Sequence, residues 1–243
     1  MNYLANFITG LSLICGFASV IFSLESHFTF ASWSIILSVI FDGIDGQIAR
    51  RNPKPSEFGK EIDSLVDVVS FGIAPSVLGY IFIYRDFYLW ATLALLIYLC
   101  CSVWRLAKYN ITPKEKLAKY FYGLPTTASG GVLASFVLIF RKSQATAEIA
   151  FPAHLTELPK YVPFVFLLLV VVLALLMISR ARYLNLDGLQ QLFGKKTKSV
   201  LLASFLLIIL SIFFKKAGTT MFSLFLLYLI FSPFVVKRLN HSE

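Results

Sequence analysis

Apolar residues come in long blocks along this chain, and several blocks lack the polar face that a helix in a water-soluble protein carries. Tyr161 to Met177 holds one proline and no charge, and Ser199 to Phe214 and Ala217 to Val236 are free of charge. Runs approaching 20 apolar residues match the hydrocarbon thickness of a bilayer when wound into a helix. The pattern predicts eight spans, roughly 5–24, 29–49, 61–84, 88–107, 124–140, 161–179, 199–214 and 217–236. Backbone groups in lipid need partners within the protein, so the spans are expected to be helices. No alternation of period 2 runs long enough for a barrel. The expectation is a single all-α, polytopic membrane domain over 1–243. The first apolar segment has no basic flank and no small-residue cleavage site, so it is expected to persist as a helix. Residues 108–123 are basic and amphipathic, which suits either a helix lying on the membrane surface or an ordinary solvated loop.

Composition agrees with the pattern. Of the 243 residues, 58% are hydrophobic and 14% charged, where a soluble domain carries about 25% charged residues. The formal charge of +9 does not indicate a nucleic-acid partner, because the basic residues sit in short clusters between apolar blocks. Sixteen of the 22 fall on the side of the two termini and six on the other. That asymmetry predicts both termini in the cytoplasm. Cys15, Cys100 and Cys101 lie in apolar segments without metal-ligand spacing and read as small buried hydrophobes.

The acidic residues change the picture most. Four of the six aspartates, Asp42, Asp45, Asp63 and Asp67, fall within 26 residues at the cytoplasmic ends of the second and third predicted spans. A carboxylate at mid-helix costs about 2.5–3.5 kcal/mol to insert, so four together point to a wet cavity, a cation, or both. Asp42 and Asp45 are i, i+3 on one helix, and Asp63 and Asp67 are i, i+4 on the next, so each pair shares a face. A short connection makes the helices antiparallel neighbours and lets the four carboxylates converge. Uncompensated, they would repel one another. Two divalent cations would balance them, and oxygen-only ligands suit Mg²⁺ or Mn²⁺. His27, His154 and His241 are remote from the cluster, which argues against zinc. Gly43, Gly46 and Ala49 lower the helix surface beside the acids, and Gly59 opens the next helix without a side chain. Arg50 and Arg51 are placed to hold a phosphate. Metals that clamp a diphosphate, a nearby arginine and a spare carboxylate to accept a proton make up a phosphoryl-transfer site.

The segment Asp42-Gly-Ile-Asp-Gly-Gln-Ile-Ala-Arg50, eight further residues, and then Gly59-x3-Asp63-x3-Asp67 resembles the signature of the CDP-alcohol phosphatidyltransferases without departure. The resemblance covers roughly residues 5–190. Within that family, Glu57 to Pro75, Asn6-x2-Thr9, Cys15-Gly16, Arg105-Leu-Ala-Lys-Tyr-Asn110 and Gly123-Leu-Pro125 resemble the bacterial integral-membrane branch that uses serine. Lys108 stands where that branch often has arginine, and Ser12 where it often has asparagine.

The resemblance implies a six-helix core over about 1–190, with the two spans over about 198–236 as a C-terminal addition. It implies Asp42, Asp45 and Asp63 as metal ligands, with Asp67 helping to ligate the second metal and acting as general base. Gly46, Ala49 and Gly59 would let the CDP moiety seat closely, Arg50 would contact its phosphates, and Asn6 and Thr9 would border the nucleotide. Arg105 and Asn110 are expected near the serine, whose carboxylate needs a cation. The implied substrates are CDP-diacylglycerol and L-serine, with CMP as the leaving product, in the bacterial cytoplasmic membrane and with a cytoplasmic active site. Members of the family commonly form homodimers. Acceptors within the same class remain alternatives: glycerol 3-phosphate, inositol phosphate or inositol. So does an ether-lipid donor. A cation transporter would also carry intramembrane acids, but it predicts them toward the midplane and in repeated halves.

Overall fold

The computed structural model describes residues 3–51, 57–112, 120–145, 159–184 and 216–240. Helices α1 (Tyr3–Leu24) and α2 (Phe28–Arg51) form an antiparallel hairpin. Helix α3 (Glu57–Asp67) passes through a π-helical turn, Val68–Ile73, into α4 (Ala74–Ile111). Helices α5 (Thr126–Ala145), α6 (Val162–Ile178) and α7 (Ala217–Asn240) complete the described bundle. Among the described residues, five stretches are long and apolar enough to cross a membrane: Leu4–Leu24, Phe28–Ala49, Glu57–Ile83, Tyr88–Ile111 and Ala217–Val236. Thr126–Phe140 and Val162–Ile178 are shorter apolar helices. The expected span 199–214 lies outside the described residues. The protein is thus an all-α, multi-spanning membrane protein, carrying one short β-ribbon.

Helix α4 reverses within its own length. In a straight helix residues 72 and 102 would be about 45 Å apart, yet a Cβ on Gly72 would stand 2.8 Å from Ser102 Oγ, and one on Gly79 would stand 3.3 Å from Leu95 Cδ2. The chain therefore doubles back between Ile83 and Tyr88. This makes Glu57–Ile83 and Tyr88–Ile111 the antiparallel pair that the hydropathy pattern predicts.

The π-helical turn has a local cause and a local remedy. Pro75 has no N–H to offer the carbonyl of Phe71, one turn before it. The hydroxyl of Tyr98 donates to that carbonyl instead, at 2.9 Å, and lies 3.0 Å from Ser129 Oγ. The π turn follows Asp67 directly and packs on α1, where a Cβ on Gly16 would approach Ser70 Cα to 2.8 Å. Ser70 Oγ donates to the Ser12 carbonyl at 3.2 Å. Ser12, whose side chain lies 2.6 Å from Ser38 Oγ, joins α1 to α2. Small residues and buried hydroxyls are the usual cement between helices in lipid.

The apolar outer surface fits a bilayer. Leu4, Phe7, Ile14 and Phe17 on α1, and Phe164, Leu168 and Leu175 on α6, are each 59–66% exposed. The core beneath is aromatic and aliphatic, with Phe71, Leu78, Ile83, Leu133 and Phe166 fully enclosed.

The surface helix considered over 108–123 is not what forms at its end. Residues 108–111 complete α4, 113–119 lie outside the described residues, and Tyr120–Tyr122 is a strand, β1. It pairs antiparallel with β2 (Arg182–Leu184), in the register Tyr120 with Leu184, Phe121 with Tyr183 and Tyr122 with Arg182. Five of these six residues are aromatic or branched apolar, which suits a half-buried ribbon. Gly123 ends β1 at φ +77° and lies so close to the Met177 carbonyl oxygen that a Cβ there would collide with it.

Candidate active site

The helix ends that bear chemistry gather at one end of the bundle. Thr9 near the start of α1 meets Asp45 near the end of α2. Lys60 and Ser64 on α3 meet Asn110 near the end of α4. Arg105 on α4 meets Thr126 at the start of α5. Alternating helix direction thus brings residues 9, 45, 64, 105, 110 and 126 together.

Carboxylate oxygens of Asp42, Asp63 and Asp67 all lie within 4.8 Å of one another, on half-buried side chains. Asp42 and Asp67 are within hydrogen-bond reach. Oxygen ligands around a Mg²⁺-sized ion at about 2.1 Å are themselves about 3.0–4.2 Å apart. This acidic triad is therefore compatible with a divalent cation, and its all-oxygen donor set suits a hard ion. Asp45 is not part of the triad. It is 3% exposed, interacts electrostatically with Asp63 and accepts a 2.6 Å hydrogen bond from Thr9 Oγ1. Thr9 Oγ1 also lies 3.0 Å from the Ala5 carbonyl, a second acceptor for the same hydroxyl proton. Asn6 is half-buried one turn earlier on the same helix.

A Cβ on Gly43 would meet nothing within 4 Å. Gly46 and Gly59 are half-buried and Ala49 is exposed. Arg50 lies in the last turn of α2, and its side chain is outside the described residues.

Arg105 links the triad to a second region. It is 8% exposed and donates from Nη1 to Thr126 Oγ1 at 3.0 Å, while its Nε has no hydrogen-bond partner. It interacts electrostatically with Asp67 and, less strongly, with Asp42. Arg105 also lines a cavity of about 340 Å³ together with Lys108, Arg180, Arg182, Trp104 and Tyr122. Among the described residues, four cations and no carboxylate line this cavity. Arg182 stacks over Tyr122, its guanidinium carbon 5.7 Å from the ring centroid, as cations do on aromatic faces. The chemistry of the cavity is that of an anion site with an aromatic wall.

Asn110 is not among the residues lining that cavity. Five positions after Arg105, it lies on another face of α4, donates from Nδ2 to Ser64 Oγ at 2.8 Å and accepts from Lys60 Nζ at its carbonyl, at 2.7 Å. Its buried Oδ1 has no partner. Arg105 and Asn110, both expected near the serine, thus have different partners in the structure. The structure also adds Arg180, Arg182 and Tyr122, which come from segments about 60 residues apart. The only sequence signal for them was the Arg180-x-Arg182 pair directly after a charge-free apolar run.

Comparison with known proteins agrees with this site. The model of the CDP-alcohol phosphatidyltransferase family matches residues 2–159. A CDP-diacylglycerol–serine O-phosphatidyltransferase of Helicobacter pylori is 30% identical over 226 residues, covering 93% of this chain and 87% of that protein. Its counterpart in Helicobacter pylori strain J99 is 31% identical with the same coverage. An archaetidylserine synthase of Methanothermobacter thermautotrophicus is 29% identical over 188 residues, 76% of this chain and 71% of that protein. With its acidic triad inside the matched region and relatives similar along nearly its whole length, the chain belongs to the CDP-alcohol phosphatidyltransferase family, a family of membrane phosphotransferases of phospholipid synthesis.

Proposed function

We propose that the protein transfers the phosphatidyl group of CDP-diacylglycerol to the hydroxyl of L-serine, releasing CMP and leaving phosphatidylserine in the bilayer. The observation that carries this reading is the Asp42–Asp63–Asp67 triad beside Arg105, at the end of a lipid-facing bundle. The names of the similar proteins support serine as acceptor.

Two divalent cations, Mg²⁺ or Mn²⁺, held by Asp42, Asp45, Asp63 and Asp67, would supply positive charge to the diphosphate and to the phosphoryl oxygens in the transition state. Arg50 contacts the same phosphates. Gly46, Ala49 and Gly59 leave room for the CDP moiety, with Asn6 and Thr9 at its border. Asp67 takes the proton from the serine hydroxyl. A P–O bond then forms at the lipid-side phosphorus, the bond from that phosphorus to the CMP oxygen breaks, and CMP leaves with the pair of electrons. Arg105 meets the serine carboxylate in the cation-lined cavity, beside Asp67. The active site and both termini face the cytoplasm, in the cytoplasmic membrane of a bacterium.

One observation favours a second acceptor. Four cations around about 340 Å³ are more than an amino acid carboxylate needs and suit a phosphorylated alcohol such as glycerol 3-phosphate. The test uses detergent-purified protein supplied with CDP-diacylglycerol and Mg²⁺ or Mn²⁺. CMP release that requires serine and stops with EDTA is the expected result. Release that requires glycerol 3-phosphate and ignores serine would move the protein to a sister activity on the same site.

A further inference from the structure

The cation-lined cavity has one wall that no transmembrane helix supplies. Tyr122 and Arg182 lie opposite each other on the β-ribbon, and a two-stranded ribbon of three residues a side is not stable by itself. Its phase can be read from its hydrogen bonds. Gly123 N–H donates to the Ala181 carbonyl at 2.8 Å, so in an antiparallel ladder Tyr183 faces the partner strand with its backbone groups and Leu184 faces away. Both outward groups of Leu184 are taken by α7. Its N–H donates to Ser232 Oγ at 2.6 Å, and its carbonyl accepts from the Tyr228 hydroxyl at 3.0 Å. The side chains of α7 thus stand where a third strand would.

The rest of α7 is fitted to hold that position. A Cβ on Gly131 of α5 would press into the Phe225 ring, and one on Gly218 would stand 3.1 Å from Leu138 Cβ. The Tyr228 ring packs on buried Tyr183, centroids 5.9 Å apart. Tyr228 also interacts electrostatically with Arg105. Both β2 and α7 lie beyond residues 2–159, the part that the family model matches.

We propose that the C-terminal helix α7 is part of the acceptor site: Tyr228 and Ser232 are positioning residues that clamp the Leu184 backbone and so set Arg182 and Tyr122 on the wall of the cavity that binds the anionic end of the acceptor alcohol. This rests on the phosphatidyl-transfer reading of the site and assigns its C-terminal extension a role in acceptor recognition. The donor and the triad are left to α1–α3.

The test uses the full chain with Ser232→Ala, Tyr228→Phe and the pair together, and Ser232→Thr as the conservative variant. Each of the first two removes one hydrogen bond to Leu184 and little volume. A hydrogen bond contributes about 1 kcal/mol, or about fivefold. The acceptor KM is expected to rise about fivefold in each single variant and more in the pair. kcat and the CDP-diacylglycerol KM should stay within about twofold, and Ser232→Thr should restore the acceptor KM. Hydrogen–deuterium exchange supplies a readout that needs no turnover: the Leu184 amide should exchange at least fivefold faster in Ser232→Ala. An unchanged Leu184 amide would overturn the clamp. Faster exchange with an unchanged acceptor KM, or equal changes in donor and acceptor KM, would overturn its role in acceptor binding. A wild-type protein that exchanges as expected but turns over no acceptor would instead overturn the transferase reading and, with it, the assignment to an acceptor site.

Discussion

Two charged regions meet at Arg105, and they differ in construction. On one side Asp42, Asp63 and Asp67 project from two successive helices, α2 and α3, on short, stiff side chains, half-buried and within 4.8 Å of one another. On the other, Lys108, Arg180 and Arg182 reach into an open cavity on long stems, from the end of α4, the end of α6 and a ribbon. Carboxylates so placed inherit the precision of the helix backbone, which the metal-assisted step of a phosphoryl transfer requires. Cations on flexible stems adapt to a ligand and hold its charge, but they do not fix reacting atoms. On the proposed reading, the difference gives chemistry to the acidic region and choice of acceptor to the basic one.

The sharpest way to break that division is Asp67→Asn, which keeps the shape and removes the proposed base. Turnover should fall about 10²- to 10⁴-fold with every acceptor, while the protein still purifies folded. A change in acceptor KM alone would mean that the acidic region also reads the acceptor. Next in size is Arg105→Gln. Loss of a charge-assisted hydrogen bond costs about 1.5–3 kcal/mol, so the acceptor KM should rise about 10- to 100-fold, with donor KM nearly unchanged. Equal losses for donor and acceptor would place Arg105 with the triad.

Thr9→Val sharpens the account of Asp45. Removing the 2.6 Å hydrogen bond frees a carboxylate that a neighbour had oriented, and such losses typically weaken metal binding by about tenfold or more. Titration with Mn²⁺ should report it directly, and unchanged affinity would reduce Asp45 to a structural acid. The smallest effect expected is on stability alone. Gly16→Ala drives a methyl group against Ser70, an overpacking worth about 1–3 kcal/mol. The melting temperature should drop, with acceptor KM unaffected.

The same contrast explains what was legible in the sequence. The acidic region lies within 26 residues, where helical spacing and one short connection suffice to predict convergence. Asp42, Asp63 and Asp67 meet accordingly; among the described residues, five of the eight expected spans correspond to helices long and apolar enough to cross a membrane and two to shorter apolar helices. The basic region joins segments from 104 to 182, and no local period relates Tyr122 to Arg182. The ribbon is too short to leave a period-2 signature, and its pairing depends on Gly123 lying against Met177. The resemblance of the Arg105–Asn110 segment places both residues near the serine. Five residues along a helix turn the side chain through more than a third of a circle, toward α3. Thr9 was expected at the edge of the nucleotide, but its short bond to Asp45 becomes visible only once α1 and α2 are packed.

The most direct test of the central claim is a competition. Purified protein is given CDP-diacylglycerol, Mg²⁺ or Mn²⁺, and equal concentrations of L-serine and glycerol 3-phosphate, and the lipid product is identified by mass. The account predicts phosphatidylserine, formed in step with CMP and suppressed by EDTA. Accumulation of phosphatidylglycerol phosphate would contradict it, leaving the acidic site standing and giving the four-cation cavity to a phosphorylated acceptor.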